Sequence, residues 1–296
     1  MSKHIFFIAS YPKSGNTLMR LILSALFFSQ DGIVNFKILR NINQLENRKL
    51  LDFIKEKNED DFLSLNKTPI LFKYFLKIQE KINLGFKEDF CFFKTHMAAL
   101  SVGGHPYTVE NNIKGIIYLV RDPRDVAISW AKHANIDINK SINFILNDVA
   151  RINWEENKNA ILPPEIKPDV LISSWEKHVI SWTKNKWSVP ELVIKFEDLI
   201  EDKEKVIHNL INFFQKNYNI KVLNVEEKIK NIVNTTDFKY LKSEEEKIGF
   251  EESKNGPFFR TGKKNQWINK LNNVQIKIIE EQFSKTMKDF NYKLTD

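Results

Sequence analysis

The stretch IFFIASYPKSGNTLMRLIL at residues 5–23 constrains this chain more than any other. Residues 4–9 (HIFFIA) are short, apolar and rich in large side chains, which suits a strand buried on both faces. Ser10 to Thr17 then holds Pro12, Lys13, Ser14 and Gly15, a turn signal. Residues 18–29 run almost continuously apolar, and their Leu, Ala and Met content predicts a helix. A strand that feeds a helix through a tight turn points successive backbone N–H groups into one concavity. Together with the helix dipole they attract an anion. Lys13 adds a mobile positive charge, Gly15 allows close approach, and Ser14, Asn16 and Thr17 can donate to phosphate oxygens. The loop is not GxxxxGK[ST], because its Lys precedes the Gly and no Gly-rich run comes before it. The same pattern also serves as a plain surface turn between two buried elements.

Two more apolar runs end in polar clusters. Residues 90–94 (FCFFK) read as a strand that delivers Lys94, Thr95 and His96 to its C-terminal end, the edge that lines the crevice of an open α/β sheet. A neutral histidine can accept a proton near physiological pH, so His96 suits activation of a hydroxyl, or it is an ordinary non-catalytic histidine. Residues 115–120 (GIIYLV) lead into RDPRDVAISW. There Arg121 and Arg124 present guanidinium groups, and Asp122 and Asp125 orient them or cap the helix that follows. Ser129 lies eight residues beyond Arg121 and can face the same crevice. A pair of structural ion pairs around a Pro turn would leave the same signature. Near the end, PFFRTGKKNQWI at 257–268 forms a positive loop with Arg260, Gly262, Lys263 and Lys264, in which Trp267 reads as an anchor.

Strands alternating with helices predict an α/β fold of three layers, a mainly parallel central sheet flanked by helices. Helices are expected at 124–133, 141–156, 173–184, 203–217 and 271–287, with a PPEIKP breaker at 163–168 and a further strand at 191–196. Residues 31–88 read as short helices and loops outside the sheet. Nothing demands a second domain within 1–296. The net charge is +7, with 45 Lys and Arg against 38 Asp and Glu. Those charges are interleaved, which favours local anion pockets over a nucleic-acid track. Cys91 is the single cysteine, read as an inert core thiol, and the six histidines show no metal-ligand spacing. No run reaches the roughly 18 apolar residues of a membrane span, and a reducing cytoplasm is the expected compartment.

Taken together, the four segments resemble the cytosolic-type sulfotransferases that use 3'-phosphoadenylyl sulfate, enzymes with a P-loop nucleotide-binding-like fold. YPKSGNT at 11–17 resembles the 5'-phosphosulfate loop YPKSGTTW, and KTH at 94–96 the lysine and histidine of the acceptor site. YLVRDPRDVAISW at 118–130 resembles the 3'-phosphate strand, turn and helix, and FFRTGKKNQW at 258–267 the loop RKGxxGDW. The resemblance implies a donor held by Lys13, Ser14, Gly15, Asn16 and Thr17 at its 5' side. It implies Arg121, Ser129, Arg260, Thr261 and Gly262 at the 3'-phosphate, with Thr236 and Phe238 beside the nucleotide. His96 would be the base, with Lys13 and Lys94 stabilising the transferring group, and adenosine 3',5'-bisphosphate would leave without any metal. The partner implied is a hydroxyl-bearing acceptor, with an amine second, seated in insertions within 31–90 and 133–170. A phosphate-transferring P-loop kinase and a non-catalytic nucleotide-binding protein are the competing readings. Departures from the motifs fall at Leu18 for Trp, Phe196 for Tyr, Thr261 for Lys and Asn265-Gln266 for Gly-Asp. The KxxxTVxE dimer segment of many animal members has no counterpart, which leaves the oligomeric state open.

Overall fold

The computed structural model describes residues 3–65, 68–153, 169–184, 187–253, 256–260 and 262–295. Its strands are β1 (Ile5–Ser10), β2 (Asn43–Gln44), β3 (Cys91–Thr95), β4 (Ser101–Val102), β5 (His105–Pro106), β6 (Ile113–Val120), β7 (Arg151–Asn153), β8 (Asp169–Leu171) and β9 (Glu191–Lys195). The first six helices are α1 (Asn16–Phe28), α2 (Arg48–Lys57), α3 (Glu59–Leu63), α4 (Thr68–Gly85), α5 (Pro123–Ala134) and α6 (Ile138–Leu146). The others are α7 (Trp175–Thr183), α8 (Phe196–Glu201), α9 (Lys203–Tyr218), α10 (Val225–Thr235), α11 (Phe238–Ile248) and α12 (Asn273–Asp289). The central parallel sheet has the order β2-β3-β1-β6-β9 and is flanked by helices, as the alternation of elements predicts. Every residue of β1 is buried, the signature of a strand covered on both faces.

Two stretches differ from the sequence reading. The helix expected over 141–156 ends at Leu146, because Asn147 starts a turn. Its side-chain oxygen accepts from the Val149 N–H at 3.0 Å, and its carbonyl accepts from Ala150 N–H at 3.0 Å. Arg151–Asn153 then form β7, antiparallel to β8. The segment 31–88 is not wholly outside the sheet, because β2 pairs in parallel with β3 through Asn43↔Phe93 and Gln44↔Lys94. Two polar residues carry no periodicity that could announce a strand. The same segment holds an 18-residue helix, α4. The PPEIKP breaker lies outside the described residues.

The chain divides into two compact units. One comprises 1–11, 42–118 and 147–191, the other 12–41, 119–146 and 192–296. In the first, β1 runs parallel to β3 in the register Ile5↔Cys91 to Ala9↔Thr95. Phe7 packs edge-on to Trp182 with ring centroids 5.6 Å apart, and Tyr107 fills the space beside Phe75 at 4.7 Å. Aromatic pairs in these geometries add to the burial of their area. Cys91 is only half-buried, yet burial still pushes its thiol up to about 12, so it stays protonated.

In the second unit, α1 is buried along eleven of its residues from Asn16 to Leu26. Its C-terminal end is met by the buried Lys228, whose ammonium donates to the Leu26 carbonyl at 2.9 Å. Gly32, at φ +80°, lies so close to Lys228 that an added Cβ would stand 2.7 Å from its Cα, so only glycine fits. Helices α5 and α12 are joined by a buried ion-pair cluster. Arg124 reaches Asp122 at 2.6 Å and Glu280 at 2.5 Å, and the Trp267 ring covers it at 3.7 Å. Glu280 also accepts from the N–H and hydroxyl of Thr295, at 3.0 and 2.7 Å. Removing one partner of such a cluster leaves a buried charge uncompensated. Glu280→Ala should therefore lose about 3–5 kcal/mol in urea unfolding. A loss under about 1 kcal/mol would show that the cluster contributes little.

Candidate functional site

In the second unit the loop after β1 turns with two residues at positive φ, Lys13 at +70° and Gly15 at +95°. For Lys13 this left-handed conformation costs about 1–2 kcal/mol, a strain that native structures retain mainly where a loop does work. Gly15 answers to two demands. Its φ suits glycine, and an added Cβ would stand 2.8 Å from Cδ2 of Phe196. Helix α1 starts immediately afterwards with no side-chain cap and no acidic residue in its first turn. Its first N–H groups thus face the concavity without a competing carboxylate from that turn. Ser14 is fully buried and its Oγ has no hydrogen-bond partner among the described residues. A buried hydroxyl left unmatched costs free energy, and an anion in the loop would meet its hydrogen. The loop therefore suits an anion such as a phosphate group.

Arg121 ties this loop to the C-terminal one. Its Nη1 donates to the Lys13 carbonyl at 3.0 Å and its Nη2 to the Lys263 carbonyl at 3.3 Å. The guanidinium lies 4.1 Å above the Phe196 ring and 3.8 Å from Asp125. Burial lowers its proton affinity, and Asp125, Glu197 and Asp122 oppose that loss. Phe196, which departs from the tyrosine of the resembled motif, packs at once against Arg121 and beside Gly15, a task that needs the ring and not a hydroxyl. The neighbouring Arg124 has a different fate. It is consumed by Asp122, Glu280 and Trp267, so the two arginines divide into one aimed at the loops and one that is structural. Asp122 caps α5 by accepting from the Arg124 N–H at 2.9 Å. Trp267 is the expected anchor, its N–H donating to Asp125 Oδ1 at 3.0 Å.

Of the remaining residues expected at the donor, Lys13 and Phe238 meet the C-terminal loop. Lys13 holds its ammonium 4.7 Å from the centroid of the Phe258 ring. Phe238 opens α11, packs edge-on to Phe259 at 6.2 Å, and fills the space where a Cβ on Gly262 would go. Thr236 is buried, and its hydroxyl donates to the Ile232 carbonyl at 2.6 Å. Arg260 is exposed and folds back onto the Pro257 carbonyl at 2.8 Å. Lys264, read as part of the positive loop, is paired with Glu201. Thr17 meets an unexpected partner, for its hydroxyl donates to Glu252 at 2.6 Å, and Arg20 grips the same carboxylate at 2.6 Å. Ser129 stands half-buried on α5. Thr261 lies outside the described residues.

In the first unit, His96 follows β3 and is half-buried. Its Nδ1 stands 2.8 Å from the Ser10 carbonyl and 3.3 Å from Ser10 Oγ. A carbonyl can only accept, so Nδ1 carries the proton and Nε2 keeps the basic lone pair. Lys94 and His96 are two residues apart and share one face, while Thr95 points the other way into the core. There Thr95 and Tyr107 donate to Glu46 at 2.9 and 2.7 Å. Glu46 is buried, which raises its carboxyl above the usual range against the help of those donors.

Sequence reading missed the group that holds His96 from behind. One face of α7 binds the backbone of residues 96–99. His178 Nε2 donates to the His96 carbonyl at 3.1 Å and Trp182 Nε1 to the Met97 carbonyl at 2.9 Å, while Ser181 Oγ accepts from the Ala99 N–H at 3.0 Å. Tyr118 Oη donates to Nδ1 of His178 at 2.8 Å, and the buried Tyr11 ring packs edge-on against His178 at 5.5 Å. The only trace in the sequence is the spacing His178, Ser181, Trp182, which marks one helical face. Tyr11 and Tyr118, both within the quoted motifs, therefore serve His178.

A model of the sulfotransferase domain family matches residues 3–291. Sulfotransferase 1B1 of Canis lupus familiaris is 32% identical over 133 residues, 45% of this chain and 38% of its own length. The amine sulfotransferase of Oryctolagus cuniculus is 23% identical across 97% of this chain and 82% of its own length. Among solved structures, the mouse sulfotransferase SULT7A1 complexed with PAP superposes with a TM-score of 0.59 at 21% identity, covering 98% of this chain and 86% of that one. A retinol dehydratase in complex with retinol and PAP does so with a TM-score of 0.59 at 19% identity, covering 100% and 84%. These two likenesses establish the fold.

His178 makes the fold sensitive to acid. Burial pushes its imidazole down to about 3, against the support of the His96 carbonyl. The folded chain therefore keeps it neutral while the unfolded chain protonates it from about pH 6.5 downwards, so the stability it confers is complete above that pH and falls towards pH 3. Between pH 7 and pH 5 the wild type should lose about 2 kcal/mol more than His178→Gln in urea unfolding. Parallel pH profiles for the two chains would refute the assignment.

Proposed function

Since this chain belongs to the sulfotransferase domain family, we propose how its residues share the work of a sulfotransferase that uses 3'-phosphoadenylyl sulfate. The chain transfers a sulfuryl group from that donor and releases adenosine 3',5'-bisphosphate. Lys13, Ser14, Gly15, Asn16, Thr17 and the first N–H groups of α1 take the 5'-phosphate and the bridging oxygen. Arg121, Ser129, Arg260 and the segment 261–262 take the 3'-phosphate, and Thr236 and Phe238 line the nucleotide. The observation that carries this reading is the buried Arg121 guanidinium on the carbonyls of both Lys13 and Lys263. One side chain thereby joins the loop assigned to the 5' end with the loop assigned to the 3' end. Thr17 must exchange Glu252 for a phosphate oxygen as the donor enters.

Chemistry follows from charge. His96 Nε2 takes the proton as the acceptor oxygen forms its bond to sulfur and the bond from sulfur to the bridging oxygen breaks. Negative charge grows on that bridging oxygen, where Lys13 and the loop N–H groups stabilise it more than they stabilise the ground state. Lys94 steadies the sulfuryl oxygens. The acceptor is a hydroxyl on a small molecule, lipid or glycan, with an amine as the second choice. The names of an amine sulfotransferase and of a retinol-bound structure among the similar proteins support both kinds of acceptor. Its contacts come from 31–90 and 133–170, of which 66–67 and 154–168 lie outside the described residues. No helix among the described residues is long and apolar enough to cross a membrane. A cytoplasmic location suits the lone, protonated Cys91.

With labelled donor and a panel of phenols, alcohols, amines and carbohydrates, His96→Ala should cut single-turnover transfer roughly 10²- to 10⁴-fold. Its Kd for adenosine 3',5'-bisphosphate should stay within about twofold, since a base contributes to the transition state rather than to donor binding. Transfer at the wild-type rate would remove His96 from the mechanism. Lys13→Ala should lower turnover by about 10²- to 10³-fold. A change confined to the KM for the acceptor would instead reassign Lys13 to acceptor binding.

A further inference from the structure

The donor reading leaves the end of α5 beyond Ser129 without a task. Ile128, Ala131 and Lys132 lie along one side of that helix, and with Ile136, Asp137 and Lys270 they line an open cavity of about 390 Å³. Its lining is mostly apolar, and Lys132 and Lys270 add two ammonium groups to it. Lys132 sits against Lys270, with the charge of Arg260 near enough to be felt. Burial first, then Lys270, then Arg260 hold the Lys132 ammonium below the usual lysine range. Lys270 donates to the neutral Gln266 Oε1 at 2.8 Å. Asp137 is the acidic residue at the cavity, and it faces Lys140 at 3.7 Å. Among the described residues neither Lys132 nor Lys270 has an ion-pair partner.

Cations gathered in this way repel one another, and the arrangement is relieved when an anion stands among them. Position along the helix says which anion. Lys132 follows Ser129 by three residues, so their side chains are neighbours on α5. Arg260 is the other neighbour, and Ser129 and Arg260 are the pair assigned to the 3'-phosphate. The resembled motif has a lysine next to that arginine where this chain has Thr261, so one positive charge is missing from the loop itself.

We propose that Lys132 and Lys270 are ligands of the donor's 3'-phosphate, closing around it with Ser129 and Arg260. The inference rests on the donor reading above and deepens it. Two cations from α5 and the segment after Trp267 replace the charge that the loop lacks at 261, and they make the chain select 3'-phosphorylated adenosine nucleotides over those with a free 3'-hydroxyl. Both lysines are exposed, so neutral substitutes leave the core intact.

The test is calorimetric titration of the full chain with two nucleotides, adenosine 3',5'-bisphosphate and adenosine 5'-monophosphate. In Lys132→Met/Lys270→Met the Kd for the bisphosphate should rise roughly 10- to 100-fold, as expected for charge-assisted hydrogen bonds. The Kd for the monophosphate should move by no more than about twofold, the effect of distant screened charge. Lys132→Arg/Lys270→Arg should recover most of the lost affinity. An unchanged bisphosphate Kd, or equal losses for both nucleotides, overturns the proposal while leaving the donor reading in place. Wild type that binds the bisphosphate no better than the monophosphate overturns it as well. A wild-type chain that binds neither nucleotide brings down the donor reading and this inference with it.

Discussion

The buried guanidinium of Arg121 sets the terms for the second unit. A cation taken out of water must find acceptors, opposite charge and a polarisable face, or its desolvation unfolds the structure around it. Here the acceptors are two backbone carbonyls, Lys13 and Lys263, from loops far apart in sequence. Asp125, Glu197 and Asp122 supply the opposite charge, and Phe196 supplies the face. Each of these demands propagates. Phe196 under the guanidinium also crowds Gly15, so the loop has no room for a side chain at the position where its backbone turns left-handed. Asp125 is held by the Trp267 N–H, which fixes where the C-terminal loop ends. The anion cradle is thus shaped by a residue more than a hundred positions away from it.

The first unit solves a different problem, that of aiming a histidine. A strand end is frayed by nature, because the residue beyond it loses its ladder partners. At 96–99 those backbone groups are taken by His178, Ser181 and Trp182, one face of a helix. The His96 ring is then oriented through Nδ1 by Ser10, the last residue of β1. The cost of this arrangement is a histidine buried in the neutral state, and therefore a fold that acid weakens.

Much of this was legible beforehand, and the reason differs by element. Strands β1 and β6 announced themselves because burial on both faces demands continuous apolar runs, whereas the half-exposed β3 and β9 showed as short runs of large or β-branched side chains. The turn at 11–17 and the arginines at 121 and 124 were visible because anion binding needs particular residue types in a fixed order. The helix expected to 156 failed at Asn147, where a local side-chain turn beat helical propensity. Strand β2 was missed because two polar residues pair by position, not by pattern. His178 was missed because a buried histidine in a helix looks the same whether it packs idly or holds another residue's carbonyl. The division between Arg121 and Arg124 was equally hidden, since both follow one strand and flank one proline.

By itself the sequence determined the sheet strands, the glycine-containing loop with its lysine, and a histidine at a strand end. Those features are local, and periodicity, turn chemistry and residue type are local properties. Tertiary structure alone decided which arginine serves the loops and which is bound by Asp122 and Glu280. It decided that Thr17 meets Glu252, and that Lys132 and Lys270 crowd one another beside Arg260. In each case the outcome depends on which charges are brought together and how much water is excluded from between them, and a linear sequence specifies neither until the chain has folded.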